Sequence, residues 1–292
     1  MANSIALFKQ YITGVLDEVY KNASLTAVLD GANELVQQGA NANELLIPKM
    51  SMDGLGDYSK SAGYVNGDVT LEMETVKCNF DRGRMFTVDS MDNIETAGVA
   101  FGRLAGEFIR TKVVPEIDAF RFACYAGLSG ISTTDAAALS TGAAVIAAIS
   151  AAADGMDDDE VPQSERYLFI TPTLLGLVRD LDTTKSKEVL AQFAGVVKVP
   201  QSRFYTAIDQ KDGTTSGEEA GGYAKASGAK DINFMIVHKP AVIQFEKHVV
   251  PKIVTPEQNQ SADAWKFGYR NVSIADGYEN KVKGIYLHKK NS

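Results

Sequence analysis

The sequence predicts an α+β fold of two bodies, one built on a single long helix and the other a compact α/β unit, with a thin extended loop that neither body covers. Three observations lead there. Residues 45–79 read as two extended limbs around a glycine-rich tip. Residues 92–124 read as one interrupted helix, which at ~1.5 Å per residue reaches ~50 Å. Residues 131–247 alternate helical stretches with short apolar strands, the pattern of a mixed α/β layer.

Taken in order, residues 4–21 place Phe8, Ile12, Val15 and Val19 on one face, with Lys9, Asp17 and Glu18 elsewhere, which predicts an amphipathic helix. Residues 22–44 are rich in Asn, Gln and Ala and read as a thin connecting arm, so the arm as a whole is 1–44. The ascending limb runs Leu45-Leu46-Ile47-Pro48-Lys49-Met50, and Pro48, which cannot donate to a ladder, puts it at an edge. The tip, residues 53–67, holds Gly54, Gly56, Gly63 and Gly67. The descending limb alternates Val65, Gly67, Val69, Leu71 and Met73 with Asp68, Thr70, Glu72 and Glu74, the period of a half-buried strand. The phase then moves to Val76, Cys78 and Phe80, which predicts a bulge near Thr75. Asp81-Arg82-Gly83 reads as a turn, with an extended run resuming over Met85–Val88.

The long helix starts on Asp92 with Glu95 three residues on, a capping-box pattern. Ile94, Phe101, Leu104, Phe108 and Ile109 form its apolar stripe. Gly98, Gly102 and Gly106 recur every four residues; each costs ~1 kcal/mol against Ala in a helix interior, so a close neighbour is expected along that line. Pro115 predicts a kink or a second helix starting there. Beyond it come an Ala-rich helix (140–153), a strand at Tyr167–Ile170, a helix opened by Pro172, strands at 198–208 and 232–237, and a Gly/Ser/Ala-rich loop at 211–230 expected to be exposed and mobile. Trp265, Phe267 and Tyr269 alternate with Lys266, Gly268 and Arg270, and Val282–His288 reads as a last strand, assigned with the long helix to the second body.

Composition excludes more than it assigns. With 45% hydrophobic and 23% charged residues the chain is an ordinary globular one. A net charge of −8 and a pI near 5.0 argue against nucleic-acid readout by a basic patch. The charge is uneven: Asp157–Glu160 is a dense acidic run, while residues 231–292 carry nine Lys/Arg against six Asp/Glu. These runs read as solvated faces, or as opposite signs meeting across a subunit boundary. Two separated cysteines, Cys78 and Cys124, make no disulfide framework and fit a reducing compartment. The first twenty residues lack the basic-then-apolar order of a leader, and Gly142–Ala153 is far short of a membrane span, so a soluble cytoplasmic protein is expected.

A catalytic constellation is missing from the pattern. His238, His248 and His288 form no zinc motif and read as structural histidines. There is no nucleotide-phosphate loop and no nucleophile elbow, and Asp209–Gly213 reads as a turn rather than a calcium loop. Glu95, Glu107, Glu116 and Asp118 lie on the long helix, where ion pairs with Arg103, Arg110, Lys112 and Arg121 outweigh an acid–base role. Arg82 and Arg84 suit either carboxylates of a neighbouring subunit or an internal tie to Asp81 or Asp89. No catalytic, cofactor or metal residue is therefore expected.

The order of arm, glycine-tipped loop, FDRGRMFTVD (80–89), the helix with VVPEIDAFRF (113–122), α/β insertion and closing strands resembles a tailed-bacteriophage major capsid protein. The resemblance runs the length of the chain and is sharpest over Phe80–Phe122. It implies an arm at 1–44, an extended loop at 45–80, a peripheral domain with a spine helix at 81–130 and 249–292, and an axial domain at 131–248. It further implies hexamers and pentamers of the chain itself, tiling an icosahedral shell around double-stranded DNA that is touched without sequence preference. Portal and decoration proteins are implied partners, and a chain that begins at Met1 with a short arm points to a separate scaffolding protein. The expected place is the virion capsid, assembled in the bacterial cytoplasm with no membrane contact. The inter-subunit candidates are Lys49, Tyr58, Lys60, Tyr64, Val69, Leu71, Met73, Arg82 and Arg84. Lys49 and Lys60 lie where some relatives cross-link, and nothing in the sequence shows that chemistry here. Two other readings stand beside this one: an encapsulin-like shell around enzymes, and a hydrolase using the helix carboxylates.

The physical reason for a shell is that a thin loop leaves strand edges and an apolar face uncovered, a liability unless another copy covers them. Burying Val69, Leu71 and Met73 on a neighbour contributes ~1.5–3 kcal/mol each when complete.

Overall fold

A computed structural model of the chain describes residues 24–31, 37–38, 44–61, 63–91, 99–136, 139–181 and 183–290. The helix expected at 4–21, Asp92, Glu95 and Gly98 lie outside the described residues. Strands β1 (Gln37–Gln38), β2 (Glu44–Met52) and β3 (Val69–Lys77) form one small sheet. Strand β4 (Phe80–Asp89) edges a second, in the order β11-β12-β4, with β11 at Val242–Val254 and β12 at Ala264–Gly277. Strands β5 (Ser132–Ala136), β6 (Arg166–Ile170), β7 (Gly195–Lys198), β10 (Ile232–His238) and β13 (Ile285–Lys290) make a five-stranded mixed sheet, ordered β5-β13-β10-β6-β7. A hairpin, β8 (Ile208–Gln210) with β9 (Tyr223–Lys225), stands apart.

The five-stranded sheet is covered on both faces, and β10 at its centre is buried at every position. Phe234 and Ile236 face a cluster with Val145, Ile149, Met156 and Leu175 from helices α3 (Gly142–Asp158) and α4 (Pro172–Leu181). Met235 and Val237 face the opposite cluster, with Phe122, Tyr125, Phe169 and Phe204. Thr141 caps α3, its Oγ1 accepting from Ala144 N at 3.3 Å. A helix the sequence reading did not resolve, α5 (Thr184–Ala191), opens on a reciprocal Thr183–Ser186 capping box.

The long helix is continuous. Segment α1 (Val99–Phe108) passes through a π-helical stretch (Ile109–Val113) into α2 (Val114–Gly127), about 43 Å at the standard rise. Pro115 neither breaks it nor starts a second helix, since the backbone stays helical at Phe108 and Val114. The widened π stretch lies just before the ring, where the proline can supply no N–H to the turn behind it. The helix is long because it serves two cores. Ile109, Val113 and Ile117 pack on Phe267 and Tyr269 of β12, and Phe122 and Tyr125 pack on the five-stranded sheet. The close neighbour expected along its glycine line is not in the chain at Gly106, where an added Cβ meets nothing within 4 Å.

Other expectations are corrected. The register of β2 with β3 runs unbroken from Glu44↔Lys77 to Met52↔Val69, so there is no bulge at Thr75. The phase change has another cause: Val76 and Phe80 turn into the body, whereas Val69 to Met73 have no body to face. Asp81-Arg82-Gly83 is strand, not turn, and Gly83 is where β4 meets β12 most closely, since a Cβ there would stand 2.7 Å from the Tyr269 carbonyl oxygen. Residues 198–208 are mostly loop around a short 3-10 turn (Gln201–Arg203) rather than a strand. The last strand, expected beside the long helix, instead pairs with β10 and β5 in the five-stranded sheet. Residues 24–30, read as a thin arm, are clamped: Thr26 and Leu29 are buried against the spine helix and its neighbours.

Candidate assembly surface

The β2–β3 hairpin leaves the body as a single layer. Strand β1 pairs with it at Leu45 and Leu46, and beyond that point, among the described residues, nothing pairs with the edge of β2 on which Pro48 sits. Val69, Leu71 and Met73 share one face and are 68%, 62% and 48% exposed, with Thr70 and Glu72 exposed on the other. Apolar side chains at alternate positions, exposed on a strand nine residues long, have no cover among the described residues. The tip is organised. Asp53 and Asp68 close its neck through Asp53 N to Asp68 O at 3.2 Å and Asp68 N to Asp53 Oδ2 at 2.9 Å. Ser59 and Gly63 exchange backbone bonds at 3.1 and 2.8 Å, and Gly63 holds φ +78°, which its lack of a Cβ permits. The Tyr58 and Tyr64 rings meet with centroids 4.9 Å apart, yet Tyr64 and Leu55 remain almost wholly exposed.

The root is rigid. Asn79 Nδ2 donates to the Ala275 carbonyl at 2.7 Å and its Oδ1 accepts from Ala275 N at 3.1 Å, so one side chain imitates a strand pairing with β12. Val76 packs beside Ile243 and Ile274.

Of the sequence candidates, Tyr58, Lys60, Tyr64, Val69, Leu71 and Met73 are exposed on this hairpin, and Lys49 stands opposite Glu72 in register. Arg82 and Arg84 do not belong to the exposed loop. Arg82 Nε meets Glu116 Oε1 at 2.8 Å, and its Nη2 donates to the Gly222 carbonyl at 3.2 Å; Arg84 Nη2 donates to the Glu219 carbonyl at 2.9 Å. Of the two internal partners expected for them, Asp81 instead takes two bonds from Arg270, at 2.8 and 2.6 Å, and Asp89 Oδ1 accepts from Met91 N at 2.9 Å. With the spine helix and residues 202–225, β4 walls an open groove of about 1150 Å³ whose walls are too far apart along the chain for local pattern to reveal.

The described helix carboxylates, Glu107, Glu116 and Asp118, are each tied to arginines. Glu107 pairs with Arg110 at 2.8 Å, as the spacing predicts. Glu116 turns to Arg82; burial pushes its carboxyl up, and the guanidinium opposes that. Asp118 is fully buried and accepts from Ser24 Oγ (3.0 Å), Leu25 N (3.1 Å), Thr26 N (3.3 Å), Thr26 Oγ1 (2.8 Å) and Arg203 Nη1 (3.2 Å). Arg121, equally buried, reaches Thr26 Oγ1 at 2.9 Å and Glu246 at 3.1 Å. The acidic run meets a C-terminal lysine inside one copy at Asp159 with Lys283, 3.4 Å, and outside that run Asp135 pairs with Lys289 at 3.2 Å.

Burial pushes the Cys124 thiol up to about 12, far from a reactive thiolate. Among the described residues no group of three or more His, Cys, Asp or Glu could hold a metal ion, and no helix is long and apolar enough to cross a membrane. His288 stacks on Phe234 at 4.6 Å and its Nδ1 lies 3.1 Å from Asn233 Nδ2; burial lowers its proton affinity, as it does for His238. The folded chain therefore binds fewer protons than the unfolded one just below the free-histidine range. Stability is expected to fall as pH drops from about 7.5 to 5.5, read as a urea midpoint, and His288→Gln should flatten that slope.

No protein-family model and no curated protein sequence matches the chain. Solved structures do. A capsid structure of the cyanophage P-SCSP1u aligns with a TM-score of 0.56 at 14% identity, covering 88% of this chain and 86% of that one. A capsid structure of Staphylococcus phage Andhra aligns at 0.56 and 11%, covering 89% and 84%. A virus-like particle from Pyrococcus furiosus aligns at 0.57 and 11%, covering 96% and 99%. The chain thus has the fold seen in phage capsid structures and in this virus-like particle.

Proposed function

We propose that the chain is a major capsid protein, a structural subunit without catalytic activity that assembles into the closed shell of a tailed bacteriophage. The observation that carries this is the uncovered β2–β3 hairpin, held rigidly at its root and exposed on both faces. In this reading residues 1–44 are an arm, 45–80 the loop that lies on a neighbour, 81–130 with 249–292 the peripheral domain, and 131–248 the axial domain, with β13 lent to the axial sheet. Copies meet in hexamers and pentamers through Lys49, Tyr58, Lys60, Tyr64, Val69, Leu71 and Met73, while Arg82 and Arg84 are engaged within their own copy. Individually weak contacts suffice because each copy meets several neighbours in a closed arrangement. The shell encloses double-stranded DNA, touched without sequence preference, and a separate scaffolding protein, a portal and decoration proteins are its partners. Assembly takes place in the bacterial cytoplasm.

The test is the state of the expressed protein. Size-exclusion chromatography and negative-stain electron microscopy are expected to show closed particles. A stable monomer near 31 kDa would overturn the reading. Particles from infected cells that contain protein cargo in place of nuclease-protected DNA would assign the shell to a protein compartment.

A further inference from the structure

Residues 211–222, which the composition marks as a mobile loop, form a closed and internally bonded ring. Lys211 N donates to the Gly222 carbonyl at 2.9 Å and closes it. Asp212 Oδ1 accepts from Thr214 N at 2.7 Å and Thr215 N at 2.8 Å, and its Oδ2 accepts from Thr215 Oγ1 at 2.6 Å. These bonds hold the Asp212 carboxyl well below the usual carboxylate range. Glu218 N donates to Thr215 O at 2.8 Å and Gly221 N to Glu218 O at 2.7 Å.

The head of Arg84 sits against this ring. A Cβ placed on Gly213 or Gly221 would stand 3.0 or 3.1 Å from its Nη1, and both glycines have positive φ, +78° and +65°. Any other residue at either position would crowd the guanidinium and strain the backbone. Its Nη2 donates to Glu219 O, and two residues back Arg82 donates to Gly222 O. The ring thus offers backbone carbonyls and two Cβ-free positions to neighbouring arginines of one strand, a fit for planar guanidinium donors rather than for a point charge.

That strand has a particular place in the chain. β4 follows β3 after two residues, so the descending limb of the exposed hairpin leads directly to Arg82 and Arg84. We propose that the 211–222 ring is a latch that grips β4 through Arg84 and Arg82, and that its release frees the β8–β9 hairpin and widens the groove beside the spine helix. Load placed on the hairpin by a neighbouring copy passes along β3 into β4 and acts on the latch; this last step rests on the shell reading, and the grip itself does not.

Hydrogen–deuterium exchange on the full chain tests the grip. In Arg84→Ala the amides of 211–222 are expected to exchange about tenfold faster, the loss of one charge-assisted hydrogen bond, with β10 protection unchanged. Should Arg84→Ala fail to fold, Arg84→Lys gives the same reading, because it keeps the charge and removes the fork. Equal exchange of 211–222 in variant and unaltered protein would overturn the latch, whether or not particles form. Particle formation by the unaltered protein is scored separately, so failure of the shell reading and failure of the latch are distinguishable.

Discussion

Removal of residues 53–66 is expected to leave a folded subunit that forms no particles. In β2–β3 the last register pair is Met52↔Val69, so the deletion joins the strands through Gly67-Asp68 alone. Two residues starting with glycine suit a tight hairpin turn, and the strands and root remain intact. What is lost is the tip, with Leu55, Tyr58, Tyr64 and Val65, all exposed and all without a role in the fold of a single copy. Circular dichroism and thermal unfolding should match the full chain, while electron microscopy shows no shells. Normal shells from this variant would place assembly elsewhere on the molecule.

Asp118→Ala is expected to be the most damaging single change to folding. The carboxylate has no exposure and gathers five donors, from residues 24–26 and from Arg203. Removing it leaves buried N–H and O–H groups unmet and strips Arg203 of its partner. Breaking a buried pair in this way costs about 3–5 kcal/mol, which a denaturant midpoint reports directly. Asp118→Asn keeps an acceptor oxygen and should lose less. If Ala costs no more than a surface change, the cluster is not what fastens residues 24–30 to the spine helix.

Local periodicity made much of the architecture legible. The alternation at 65–73, the helical stripe through Leu104 and Phe108, the Pro172 helix start and the continuous apolar run of β10 each reflect burial that a neighbour in the same element can report. Partners distant in sequence were not legible. Asp118 and Arg121 are spaced as a surface ion pair of one helix, yet each turns to residues more than 80 positions away because both faces of that helix are covered. Gly83 between Arg82 and Arg84 spells a turn in sequence, yet the glycine serves a close approach of β12. The composition of the glycine-rich 211–222 segment suggests mobility, because composition does not reveal that two glycines border a guanidinium. Among the assembly candidates, those on the hairpin were found by their pattern, since an exposed strand keeps its alternation even when nothing covers it.

The anchoring of the hairpin root has a consequence for biosynthesis. Asn79 is fastened by Ala275, and Phe80 pairs with Ser273, both nearly two hundred positions later. A nascent chain emerging from the ribosome displays the hairpin long before those anchors have been translated. The projection therefore acquires its fixed direction only when the polypeptide is almost complete.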